Sequence, residues 1–269
     1  MNIFNILDSI QKIDGDAIKR LEHATRRTFM NRIGSTLAAA AVPTAFASIV
    51  SKAYGATPTA LEVLNYALTL EYLENEFYEI GNATAGLIPG EYKAVFAQIG
   101  QHEKAHVKFL ATALAGDAVK KPTFDFTAKG AFPAFTDFGT FVTLSKAFED
   151  TGVRAYKGQA GNLISAPNLL QYALQVHSVE ARHASIVRRI LGKITNDKTT
   201  KGWITNDAGF PGAVYKGEIS ESNVVQGGLN VPGIAGLENI SFAAITEAFD
   251  EPLTMKEVLD IAGPFIVSL

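Results

Sequence analysis

Two segments of this chain, QHEKAHVKFL at 101–110 and SVEARHASIV at 178–187, each place a glutamate three residues before a histidine. Each follows another glutamate at nearly the same distance: Glu71 stands 32 residues before Glu103, and Glu149 stands 31 before Glu180. Tyrosines repeat as well, with Tyr78 seven residues after Glu71 and Tyr156 seven after Glu149. On a helix, residues three apart share a face, with Cβ atoms about 5–6 Å from one another. Glu103 with His106, and Glu180 with His183, can therefore each address one point in space. The duplication predicts two helical hairpins of like design, packed face to face.

Apolar residues at helical spacing support four such helices. The first spans about 58–81 (Leu61, Leu64, Leu68, Tyr78) and the second about 90–115 (Val95, Phe96, Ile99, Phe109, Leu110). The third spans about 135–162 (Phe138, Val142, Phe148, Val153) and the fourth about 166–192 (Leu170, Val176, Val187, Ile190). GNATAGLIPG breaks the first pair, and a longer connection from 117 to 134, with Pro122 and Pro133, separates the pairs. Two short turns and one long middle connection predict an all-α fold, a four-helix bundle with a crossover over residues 57–193. The remainder, 194–269, is dense in Gly, Pro, Asn and Ser without a helical period. It reads as an irregular extension packed on the bundle through Trp203, Phe210, Tyr215 and several Val and Ile, closed by a short helix in MKEVLDIAGPFIVSL.

The apolar stripe decides where the acids point. Leu64 and Leu68 flank Glu71, and Val176 and Val187 flank the Glu180–His183 pair, so these groups face the bundle interior. Bare carboxylates together in a core are costly through desolvation and mutual repulsion. Two divalent cations offset that charge. The candidate ligands are Glu71, Glu103, His106, Glu149, Glu180 and His183. Glu74 and Glu76 compete with Glu71 for its place, and the repeat favours Glu71. Mixed carboxylate and imidazole ligation suits iron or manganese, with zinc as a further option. The chain has no cysteine, which excludes disulfides, thiolate metal sites, iron–sulfur clusters and cysteine nucleophiles. Tyr78 and Tyr156 are either hydrogen-bond donors or redox-active groups behind the ligands, or ordinary core aromatics. His177, one turn before Glu180, is either a supporting or alternative ligand or a packing residue. His102 lies about 100° around its helix from Glu103 and reads as peripheral.

The phrases LNYALTLEYLENEFYEIG, IGQHEKAHVKFLATAL, KAFEDTGVRAYKG and VHSVEARHASIVRRILG, with EAFDEPLTMKEVL more weakly, resemble the ferritin-like superfamily. Within it the chain is most similar to bacterial and plant ferritin-like proteins of the desiccation-related type. That resemblance implies a dimetal site, with one Glu from each of two helices and Glu-x-x-His from each of the others. Glu71 and Glu149 would then be terminal or bridging carboxylates, Glu103 and Glu180 bridging ones, and His106 and His183 terminal imidazoles.

The N-terminus points to a compartment. TRRTFMNRIGSTLAAAAVPTAFASIVSKAYGA carries paired Arg26 and Arg27, then an uncharged run of small residues from Ile33 to Ser51. A basic region, a mildly apolar run and small residues, in that order, make an export signal; the arginine pair resembles the twin-arginine type. Cleavage after Ala47 or near Ala56 would leave a periplasmic or extracellular protein and remove His23; the alternative is an uncleaved anchor. Without residues 1–56 the chain keeps 17 Lys or Arg against 23 Asp or Glu, a net charge near −6. Such an acidic surface carries no footprint for nucleic acid.

The functional expectation is an exported di-iron or di-manganese protein that reacts with dioxygen or peroxide, ferroxidase-like or catalase-like. The alternative is a non-enzymatic stress or desiccation scaffold whose metal site is structural or absent. Iron storage in a shell is a third reading, and a homo-oligomer is open.

Overall fold

Capping chemistry sets where the helices begin in the computed structural model, which describes residues 58–237 and 239–268. The export signal read in residues 1–56, with its arginine pair and His23, lies outside the described residues. Helix α1, Ala60–Ala83, opens on a capping box in which the Thr59 hydroxyl accepts from the Glu62 amide and Glu62 accepts from the Thr59 amide. Helix α2 is Lys93–Leu114. It starts three residues later than the apolar pattern suggests, because a tight turn from Pro89 to Tyr92 precedes it. Helix α3, Phe138–Ala160, is likewise later than expected: Asp137 accepts the Thr140 amide at 2.6 Å and fixes the first turn there. Helix α4, Pro167–Ile194, begins with proline at its first position, where the missing N–H costs nothing.

These four helices form two hairpins, α1 packed along α2 and α3 along α4, with α1 also meeting α3. The fold is the all-α bundle with a long middle connection that the periodicity predicts. In the crossover, the two-residue strand β1, Thr123–Phe124, pairs with β4, Ile266–Ser268, near the end of the chain. Asp125 adds a backbone bond to Phe265 at 2.8 Å. A second small ribbon joins β2, Val225–Gln226, to β3, Leu229–Asn230. The extension also carries two short helices, α5 (Phe242–Thr246) and α6 (Met255–Ala262), the latter with its own capping box from Thr254 and Glu257. Among the described residues no helix is long and apolar enough to cross a membrane.

Helix α3 shows what the extension does. A bundle helix ordinarily buries one stripe, yet residues 144–156 of α3 are buried without interruption. The outer face carries Asp150 and Arg154, which the extension covers. Arg154 is fully buried and donates to the carbonyls of Glu251 (2.8 Å), Lys216 (3.0 Å), Ile219 (2.9 Å) and Val214, and pairs with Glu221 at 2.8 Å. Asp150 accepts from the Tyr215 hydroxyl at 2.7 Å and from Arg188. The backbone of Leu253 lies so close to Gly158 that a Cβ there would sit 1.9 Å from the Leu253 carbonyl oxygen. Tyr215 packs as the sequence suggests, but Trp203 and Phe210 are 48% and 62% exposed. The attachment combines the polar contacts of Arg154 and Asp150 with an apolar cluster in which Ile204, Val214 and Tyr215 pack with Ala147 of α3, and Trp203 and Phe210 stay largely outside it.

On the other side of α3 an aromatic cluster seals the bundle. Phe77 stacks on Phe141 at 4.9 Å and meets Phe148 edge-on at 5.1 Å, with Phe126 and Phe135 around it. Each such pair contributes about 0.5–1.5 kcal/mol beyond its buried area. Gly81 permits the approach, since a Cβ on it would fall 2.3 Å from the Phe141 ring.

Candidate metal centre

All four long helices send an acid to the same interior point: Glu71 from α1, Glu103 from α2, Glu149 from α3 and Glu180 from α4, none exposed to solvent. His106 and His183 join them one turn after Glu103 and Glu180. His106 Nδ1 lies 3.1 Å from Glu71 Oε2, 3.1 Å from Glu103 Oε2 and 3.2 Å from Glu180 Oε1. His183 Nδ1 lies 2.9 Å from Glu103 Oε1, 3.2 Å from Glu149 Oε2 and 3.6 Å from Glu180 Oε2. Glu103 and Glu180 thus give one oxygen to each half, while Glu71 with His106 and Glu149 with His183 close the two ends. Two sets of four donors result, Glu71, Glu103, His106, Glu180 and Glu103, Glu149, Glu180, His183, with the ligand atoms of each set within 4.8 Å of one another.

Hydrogen bonds account for only part of this crowding: His106 Nδ1 is bonded to Glu71 and Glu103, both at 3.1 Å. Glu103 Oε1, Glu149 Oε2, both oxygens of Glu180 and His183 Nδ1 are buried and make no aligned hydrogen bond among the described residues, despite their short separations. Buried polar atoms are rarely left so. Lone pairs aimed at a shared centre instead of at each other fit a cation. Octahedral coordination with bonds of about 2.1 Å puts neighbouring ligand atoms about 3 Å apart, which is the spacing seen around both histidines.

Without an ion, protons take up part of the charge. Burial raises the Glu71 carboxyl to about 8, against the pull of His106. Burial also lifts Glu149 well above the carboxylate range, with His183 opposing. At Glu180 burial acts the same way, but the two imidazoles outweigh it and bring the group down to about 2. Burial alone would lower both histidines; the acids around them reverse this, raising His183 to about 12 and His106 strongly in the same direction.

The tyrosines reach across the hairpins. Tyr78 on α1 donates to Glu149 on α3, and Tyr156 on α3 donates to Glu71 on α1. Of their alternative readings, the structure shows hydrogen-bond donors to the end carboxylates. His177 does not join the cluster: its Nδ1 sits 3.0 Å from the Val153 carbonyl, on the α3 backbone. Glu76 faces outward to Lys121 at 2.7 Å. His102 is the correction in the other direction. It stacks on His183 with ring centroids 5.1 Å apart, and its Nδ1 lies 2.8 Å from His183 Nε2, with Gln98 behind it at 2.8 Å. Its spacing four before His106 was the available signal, since i and i+4 share a face.

A family described as a ferritin-like domain matches residues 59–193, from the cap of α1 to the end of α4. No curated protein matches the chain. With four helices and a buried Glu/His cluster of this design, the chain belongs to the ferritin-like domain family.

Proposed function

We propose that this is a dimetal-carboxylate protein that binds two iron or manganese ions and carries out redox chemistry with dioxygen or peroxide. The supporting observation is the convergence of six donors from four helices, of which Glu103 Oε1, Glu149 Oε2, both Glu180 oxygens and His183 Nδ1 are buried without a hydrogen-bond partner among the described residues. Glu71 and His106 would hold one ion, Glu149 and His183 the other, and Glu103 and Glu180 both. Bound iron or manganese would supply the electrons that organic side chains lack. The chain's own part is to fix the donors, exclude bulk water through the Phe77 cluster, and steady the end carboxylates with Tyr78 and Tyr156. Zinc also suits the donor set, so metal identity is part of the test. The arginine pair and small-residue run near the N-terminus support export as part of this reading.

The test is elemental analysis of protein taken from its native host, then turnover of hydrogen peroxide and oxidation of Fe(II) by that material. Two equivalents of iron or manganese with either activity supports the reading. Two bound ions that raise the melting temperature without any turnover would favour the structural-site alternative, and protein with no metal and no uptake would sink both.

A further inference from the structure

Glu74 has no counterpart in the internal repeat. The 78-residue step that carries Glu71 onto Glu149 and Tyr78 onto Tyr156 carries Glu74 onto Gly152. Glu74 is only 3% exposed, one turn beyond Glu71, and makes no hydrogen bond among the described residues. Its carboxylate occupies the space that a side chain at 152 would need. A Cβ on Gly152 would lie 3.2 Å from Glu74 Oε1, 3.6 Å from Glu180 Cγ and 3.7 Å from Glu180 Oε2. The absent side chain on α3 thus leaves the space beside the Glu180 side chain open to an acid from α1, although Glu74 stands outside both sets of converging donors. The Glu180 oxygen nearest this point, Oε2, is the one that faces His183, so Glu74 arrives on the Glu149–His183 side of the centre.

We propose that Glu74 is a seventh metal-binding residue, a carboxylate held in reserve for the ion bound by Glu149 and His183, and that Gly152 is the residue that admits it. The proposal rests on the dimetal reading above. An unpartnered, buried acid has no structural use: it satisfies no donor, and it sits among four other carboxylates that repel it. Four acids already balance two divalent ions. A fifth takes the centre to a net negative charge unless the ions carry more than two charges each, so Glu74 adds capacity for an oxidised pair. It also adds to the inequality of the two halves that His102 creates beside His183.

The experiment compares the full chain with Glu74→Gln and Gly152→Ala, using Mn(II) as the probe. Binding is read by calorimetry and elemental analysis, the ion environment by electron paramagnetic resonance, and the metal-free protein by its melting temperature. For Glu74→Gln the expected result is two ions still bound, one of them on the order of ten- to a hundredfold more weakly, with an altered spectrum. The metal-free variant should melt higher than the parent, because a buried unpaired acid has gone; a packing role for Glu74 would lower it. Gly152→Ala keeps Glu74 but crowds its carboxylate, and should weaken the same ion, which decides the matter if Glu74→Gln does not fold. Unchanged affinities and spectrum in both variants would overturn the proposal while leaving the dimetal reading intact. A parent protein that binds no Mn(II), iron or zinc would overturn the reading itself and the proposal with it.

Discussion

Tyr78 donates its hydroxyl to the carboxylate of Glu149 across the bundle, 71 residues away in sequence. Tyr156 makes the reciprocal bond to Glu71. Burial, followed by the charge of the acid each one touches, raises both phenols well above their ordinary value, so they stay protonated and can only donate here. Each tyrosine therefore fixes the carboxylate at the far end of the opposite hairpin. Tyr78→Phe and Tyr156→Phe remove one donor from a buried acid and add no bulk. The expected cost is about 1–3 kcal/mol of stability in the metal-free protein, with metal affinity down about ten- to a hundredfold. Denaturant unfolding and metal titration of the two variants check this. If each affects a different ion of the pair, the reciprocal arrangement is the cause.

The metal-free and metal-loaded proteins should respond to pH with opposite sign. Glu71, raised to about 8 from an ordinary 4.5, contributes stability that is fully present below 4.5 and lost as pH rises through 8. His183, raised to about 12 from 6.5, contributes stability that is present below 6.5 and lost as pH climbs toward 12. The Glu71 loss runs from pH 4.5 to about 8 and the His183 loss from 6.5 to about 12, so stability is still falling on the alkaline side of neutrality. Metal ligands must be deprotonated, so bound ions release these protons and tighten as pH rises. The melting temperature of the metal-free protein should fall between pH 7 and 9, while that of the loaded protein holds or rises. A weakly buffered indicator solution should register proton release on metal addition.

Spacing made the fold and the cluster readable because both rest on helical geometry. An i, i+3 pair on a helix has one orientation, and two such pairs flanked by Leu64, Leu68, Val176 and Val187 have one interior to face. The extension was harder to read for a physical reason. Arg154 is satisfied mainly by backbone carbonyls of Val214, Lys216, Ile219 and Glu251, and a carbonyl leaves no mark on the sequence. Trp203 and Phe210 carried the expected signal, large aromatics in a loop, and are only partly covered. Glu74 was legible only as a rival to Glu71, since the space it fills belongs to Gly152 on another helix.

That same arginine gives a prediction about the extension. Arg154→Leu keeps much of the side chain's volume but strands Glu221, which burial already raises to about 7 against the pull of Arg154. It also leaves several carbonyls without their donor. Breaking a buried ion pair by removing one partner costs about 3–5 kcal/mol. The loss should appear first as faster hydrogen exchange and proteolysis over residues 214–253, with the helices of the bundle still protected. Uniform loss of protection across α1 to α4 would show instead that the extension and bundle fold as one unit.

Bridging and end carboxylates should separate cleanly by stoichiometry. Glu103 stands with Oε2 beside His106 and Oε1 beside His183, so Glu103→Gln weakens the donor set of both ions at once. Glu71 serves only the His106 side, and its loss leaves Glu103, Glu149, Glu180 and His183 in place. Glutamine keeps the shape and removes the charge, so the folded bundle should survive both changes; burial opposes the charge of Glu71 in any case. Glu71→Gln is expected to retain one tightly bound ion, and Glu103→Gln none at micromolar metal. Calorimetric titration with Mn(II) reads the difference directly. One retained ion in both variants would mean that Glu103 does not bridge, and the two halves would then be independent sites.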